Sequence, residues 1–251
     1  MKKFICFQAT FGLLFAFACG TSANAAVVAG WDNFNDGAAP VASVLETGFT
    51  GTGTTTNFSN AGSEDRGSSS DTTWGSYDGG LTPADATIVG AGVNLVAVNG
   101  VTDAQLTMTI VNGTSDAYDL LSFHMDALAF RPNAPRAYAL NVLAGSDITV
   151  GNVFTSVDDA ITSLGAAPNA TQDQHDEIDL SLAGLADNTL EAGGTAIIQI
   201  AFSSGTGSGG GHHLWVDNVA IQGSVSAVPE PTSLALLGLG SVAMVARRRR
   251  K

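Results

Sequence analysis

The sequence predicts an all-β protein: a single antiparallel β-sandwich of jelly-roll type with one short helix. Three observations lead there. Apolar and polar residues alternate in several runs, the mark of half-buried strands. Turns rich in Gly, Asn and Asp separate these runs at intervals of roughly ten residues. Helical patterns do not recur between the strands, so the rhythm of a parallel βαβ sheet is missing.

Taken in order, residues 26–31 form a short apolar strand that runs into Asp32-Asn33-Phe34-Asn35-Asp36-Gly37, a turn-rich stretch. From 48 to 80 the composition shifts to Gly, Ser, Thr and Asn, with Phe49, Phe58, Trp74 and Tyr77 as spaced anchors. Disordered tracts seldom carry aromatics at such intervals, so this region reads as short strands and long loops. Ile88-Val89 and then 93–98 read as strand up to the Asn99-Gly100 turn. Leu106, Met108 and Ile110 alternate with Thr107 and Thr109. Within 118–130, Leu121, Phe123, Met125, Ala127 and Ala129 share one face, while His124 and Asp126 point from the opposite, polar one.

Arg131-Pro132-Asn133-Ala134-Pro135 makes a turn; 137–143 returns as a strand, and 150–154 is another. One segment reads as helix. Ser156 is its N-cap, Asp158 and Asp159 lie in the first turn, Ile161 and Leu164 give an apolar edge, and Gly165 ends it. Alternation resumes through Ile178, Leu180 and Leu182; residues 195–202 are dense in β-branched side chains. A glycine-rich loop at 205–211 leads to the last strand, 213–223.

The two ends are of a different kind. Lys2-Lys3, the apolar stretch 4–18 and the small-x-small triplet Ala23-Asn24-Ala25 make a signal peptide, with Ala23 and Ala25 as the cleavage-site residues. Lipoprotein processing at Cys19 is the rival, but Ala16 and Phe17 match its lead-in poorly. At the other end, Pro229-Glu230-Pro231 holds the preceding residues extended. An apolar run over 232–246 follows, then Arg247, Arg248, Arg249, Arg250 and Lys251 as a membrane stop. A full span takes about 20 apolar residues, and this run is shorter, which favours a transient hold over an ordinary anchor.

This order of parts resembles the PEP-CTERM sorting signal of bacterial surface and exopolysaccharide-associated proteins. The resemblance implies that an exosortase, a membrane-embedded cysteine transpeptidase, recognises the motif and removes the tail. The organisation expected is then a signal peptide over 1–25, a β-sandwich ectodomain over 26–227 and a sorting signal with a short transmembrane helix over 228–251. Signal peptidase and exosortase are the expected processing partners. The expected destination is the cell surface, outer envelope or extracellular matrix, with membrane contact only through the tail before processing.

Charge sharpens that picture. The chain has 10 Lys+Arg against 23 Asp+Glu, a net charge of −13. Without both ends only Arg66, Arg131 and Arg136 remain as cations, whereas of the acids only Glu230 leaves. A lysine-free, acidic domain repels nucleic acid and anionic membranes. Cys6 and Cys19 both fall in the signal peptide, which excludes a disulfide, a thiol nucleophile and a thiolate metal site from the domain.

Candidate sites follow from the same residues. Gly205, Gly207 and Gly210 have the spacing of a phosphate loop, but a strand rather than a helix follows, so the reading is a flexible hairpin. His212-His213 point to opposite faces if on a strand, which disfavours a shared metal. His124 and Asp126 lie on one face, either as a base and its orienter or as solvated surface. Asp119, Asp126, Glu177 and Asp179 are the carboxylates available for glycoside hydrolysis, which needs two across a cleft. Trp74, Tyr77, Tyr138 and Trp215 are the aromatics a binding surface would use.

The run Leu214-Trp215-Val216-Asp217-Asn218-Val219-Ala220-Ile221 resembles the closing strand of carbohydrate-binding-module-type jelly rolls. In such folds, residues near the first and last strands often meet around a structural calcium. The resemblance thus implies Asp36, with Asp32 beside it, and Asp217 as calcium ligands, in keeping with an oxygen-only donor set. The expected role is a non-catalytic surface or matrix protein, structural, adhesive or bound to extracellular polysaccharide. The alternative is an extracellular glycan-active hydrolase.

Overall fold

A computed structural model describes residues 25–31, 34, 39–60, 95–98, 101–129, 131–163, 176–206 and 213–226. The first strands are β1 (Ala26–Trp31), β2 (Val44–Leu45), β3 (Phe49–Thr56), β4 (Phe58–Asn60) and β5 (Leu95–Ala97). The long central strands β6 (Ala104–Asn112), β7 (Tyr118–Ala129) and β8 (Ala137–Val142) come next, then β9 (Gly151–Thr155) and β10 (Asp176–Ser181). The last are β11 (Thr189–Leu190), β12 (Thr195–Ser203) and β13 (Leu214–Val225).

They form two antiparallel sheets. The larger runs β10-β7-β13-β1-β2, with β11 added to β7, β5 to β13 and β4 to β5; the smaller runs β3-β6-β12-β8-β9. The chain crosses between sheets from β6 to β7, back to β8, and again from β12 to β13, as a jelly-roll-like sandwich requires. One core lies between them. Leu106, Met108 and Ile110 from β6 and Ile198, Ile200 and Phe202 from β12 meet Phe123 and Met125 from β7 and Val219 and Ile221 from β13. Burying each such side chain contributes about 1.5–3 kcal/mol.

One side of the sandwich is closed by the segment 40–45. Val41 bridges to Thr52, and the Ala42 amide donates to the Gly51 carbonyl at 3.1 Å, before the chain joins β1 as β2. Two glycines let it sit so close. A Cβ on Gly53 would fall 2.8 Å from Pro40 Cγ, and one on Gly51 would fall 2.8 Å from Ala42 Cβ.

The structure departs from expectation in the segment after β9. Residues 156–163 are not helical, and no helix occurs among the described residues. Asp159 takes a left-handed φ of 59°, which breaks a helix at its first turn. The Ser156 hydroxyl accepts from the Tyr138 amide instead of capping a helix. Arg136 then ties down the turn at 158–159, donating from Nε to the Ile161 carbonyl at 2.6 Å and from Nη1 to Asp159 at 2.9 Å. The Ile161 side chain still reaches the core.

Candidate functional site

The polar side chains that matter lie on the outward face of the larger sheet, and they are buried. Along β7, Phe123, Met125, Ala127 and Ala129 point into the core, leaving Ser122, His124, Asp126 and Leu128 on the other face. The facing residues of β13 are Trp215, Asp217, Ala220 and Gln222. His124 is 1% exposed, Asp126 0% and Asp217 2%. The expectation of a solvated His124 and Asp126 is therefore corrected: alternation put them on the outward face, but both side chains are buried there.

A bulge arranges the group. Between the pairs Asp217↔Asp126 and Ala220↔His124, β13 has one residue more than β7. Asn218 absorbs it with a φ of 48°. Its amide N–H is thereby turned onto Asp217 Oδ1 at 2.9 Å, and its side-chain Nδ2 donates to Asp126 Oδ2 at 2.6 Å. A small residue, Ala220, stands opposite His124 and leaves room for the ring.

His124 lies between two carboxylates. Its Nδ1 is 2.6 Å from Oδ1 of Asp179, its partner across the β7–β10 pair. Nε2 is 3.3 Å from Asp126 Oδ1, an ion-pair distance without hydrogen-bond alignment. Burial alone would lower the imidazole pKa, but the close approach of Asp126 and Asp179 on either side of the ring outweighs it and holds the pKa at about 9. The two carboxylates thus favour the charged imidazolium. It acts as a buried electrostatic clasp between β7 and β10. Further along the same face, Ser122 donates to Gln222 Oε1 at 3.1 Å.

The other predicted residues are scattered. Asp119 accepts from the Thr189 hydroxyl at 2.8 Å. Glu177 is exposed and stands across from Asp126. Trp215 is 2% exposed, which removes it from contention as a binding aromatic. Tyr138 stacks on Phe154, ring centroids 5.7 Å apart, at the edge formed by β9. Asp32, Asp36, Trp74, Tyr77, Gly207, Gly210, His212, the cleavage-site Ala23 and the whole tail lie outside the described residues, and Ala25 is the first residue described. Among the described residues no group of three or more His, Cys, Asp or Glu side chains is placed to hold a metal ion, and no helix is long and apolar enough to cross a membrane. Asn218, Ser122 and Gln222 carry no sequence signal of their role, because a polar residue on a strand's outer face ordinarily means solvent.

An all-β sandwich thus leads into a C-terminal sorting signal. Residues 227–251 match the PEP-CTERM protein-sorting motif, which marks an exported protein destined for the cell envelope surface and implies processing by an exosortase. No curated protein matches the chain. Among solved structures it is similar to a carbohydrate-binding module of the β-sandwich superfamily, at 13% identity and a TM-score of 0.33 over 76% of this chain and 60% of that one. The chain therefore spans less than two thirds of that structure's length. A family 11 carbohydrate-binding module from Clostridium thermocellum, in complex with a mixed-linked tetrasaccharide, matches at 10% identity and a TM-score of 0.32, over 79% and 98% of the two chains. A Stig cyclase from Fischerella sp. TAU matches at 11% and 0.32, over 78% and 84%. A binding module and a cyclase at the same level of likeness leave the choice of function to the residues themselves.

Proposed function

We propose that this chain is an exported cell-surface or exopolysaccharide-matrix protein with a structural, adhesive or carbohydrate-associated role and no catalytic one. The observation that carries the reading is the sorting motif at 227–251. Support comes from the acidic, lysine-free stretch between the two termini and from a buried histidine committed to two carboxylates. Signal peptidase removes the first segment, exosortase the last. A structural calcium bound through Asp36 and Asp217 belongs to the same reading. Exposed aromatics are few among the described residues, and the Tyr138–Phe154 stack is the pair available at a surface edge.

The test is to express the protein in a host with and without a matching exosortase and to weigh the product. Surface delivery with loss of the arginine-rich end is expected only where the enzyme is present. An uncut chain displayed equally in both hosts overturns the sorting role.

One observation favours a second reading, an extracellular glycan-active hydrolase. Asp126, Glu177 and Asp179 gather on one face of the β7–β10 pair. A hydrolysis screen on the purified protein separates the two: turnover of a glycan without retention supports the enzyme, and retention without turnover supports the matrix protein.

A further inference from the structure

The five strands of the smaller sheet contain no Asp, Glu, Lys or Arg. In the larger sheet Asp119, Asp126, Asp176, Glu177, Asp179 and Asp217 all lie on strands. Among the described residues, the strands of the smaller sheet are thus free of charge. The outer face of this sheet carries rows of hydroxyl and amide groups. Thr50, Thr52, Thr54 and Thr56 on β3 are exposed. Thr52 stands across from Thr109 and Thr54 from Thr107 on β6, and Thr107 in turn from Gln199 on β12.

These groups are oriented by one another. Gln199 Nε2 donates to Gln105 Oε1 and to Thr107 Oγ1, both at 3.2 Å. Asn152 Nδ2 donates to Asn141 Oδ1 at 3.0 Å. Strand spacing and rise make the face roughly 19 Å across and 26–30 Å along β3, β6 and β12.

We propose that this face docks a neutral, hydroxyl-rich polysaccharide chain, an inference that rests on the carbohydrate-associated reading above. Hydroxyls and amides both donate and accept, which matches a sugar polymer presenting hydroxyls of no fixed polarity. An anionic polymer meets no cation on the described strands of this face and is repelled by the acidic charge of the rest of the chain. A protein partner is disfavoured, since interface centres use Trp, Tyr, Met and Arg, and the outward positions of this sheet offer Thr, Gln and Asn with a few small or aliphatic residues. Each hydrogen bond exchanged with water contributes little. Binding must therefore come from many repeats along a polymer rather than from a short oligosaccharide.

The exported protein, recovered from its host, is applied to cellulose, cross-linked dextran and alginate. Retention on a neutral polymer, absence from alginate and weak competition by a disaccharide are the expected results. Thr52→Val/Thr54→Val/Thr107→Val keeps strand propensity while removing hydroxyls; Thr52→Glu/Thr107→Glu adds charge. Both are expected to cut retention at least tenfold with an unchanged melting midpoint, whereas Phe154→Ala retains it. Loss in Phe154→Ala with full retention in the threonine variants overturns the site and leaves the carbohydrate reading standing. No retention of the unaltered protein on any polymer overturns that reading itself. A concentration-dependent dimer lost in the threonine variants overturns the proposal in favour of a second copy.

Discussion

Nδ1 of His124 and Oδ1 of Asp179 meet at 2.6 Å across two neighbouring strands, with Asp126 on the other side of the ring. The ring is 1% exposed, while the Asp179 side chain keeps 30% of its surface. One carboxylate of the pair is therefore sealed in and the other reaches water, a difference with measurable consequences.

Stability should depend on pH through this ring. A pKa raised from 6.5 to about 9 contributes stability that is fully present below pH 6.5 and lost as pH climbs through 9. The ceiling is about 3 kcal/mol. Melting midpoints recorded from about pH 6 to 10 should fall across that window, and His124→Gln should flatten the fall. A midpoint indifferent to pH in the unaltered protein rejects the clasp.

The two carboxylates should not be equal. Asp126→Ala removes the partner of a buried imidazolium and of Asn218 together, and should cost on the order of 3–5 kcal/mol in urea unfolding. Asp179→Ala leaves a gap that water can reach and should cost clearly less. The opposite ranking is incompatible with the burial described.

The bulge gives a cleaner comparison at one position. Asn218→Gly keeps the positive φ but loses the bond to Asp126; Asn218→Ala loses both. The alanine variant should be less stable than the glycine variant by about 1–2 kcal/mol, and equal stabilities would mean that the left-handed turn has no energetic role.

Calcium held through Asp217 predicts a melting midpoint that drops in chelator and recovers when calcium is restored. Asp217→Asn should abolish that response. A midpoint untouched by chelation removes the ion from the reading.

Much of the fold is legible in the sequence, for a physical reason that can be named residue by residue. Leu106, Met108 and Ile110, like Phe123, Met125 and Ala127, announce their inward face because burial on one side imposes a period of two. The strand β3 is harder to see. Thr-Gly-Thr-Gly-Thr lacks apolar side chains at its inward positions, since Gly51 and Gly53 are filled from outside by Pro40 and Ala42. The segment at Ser156 carries sound helix-start chemistry, yet Arg136, distant in sequence, holds it in a turn instead. The buried polar group is the least legible part. His124 and Asp126 read as solvated because local alternation tells which side a residue faces and nothing about what lies over that side.

The closed flank of the sandwich has a bearing on life in a crowded envelope. A threonine-rich rim is good material for stacking copy upon copy into fibres, and proteins held at high density are the ones most exposed to that fate. Here the chain occupies its own rim with Val41 and Ala42, so the place where a neighbouring molecule would add is already taken. A single methyl group at Gly51 or Gly53 would press against that cover at Ala42 or Pro40, and loosening it would bare the β3 edge to a second molecule.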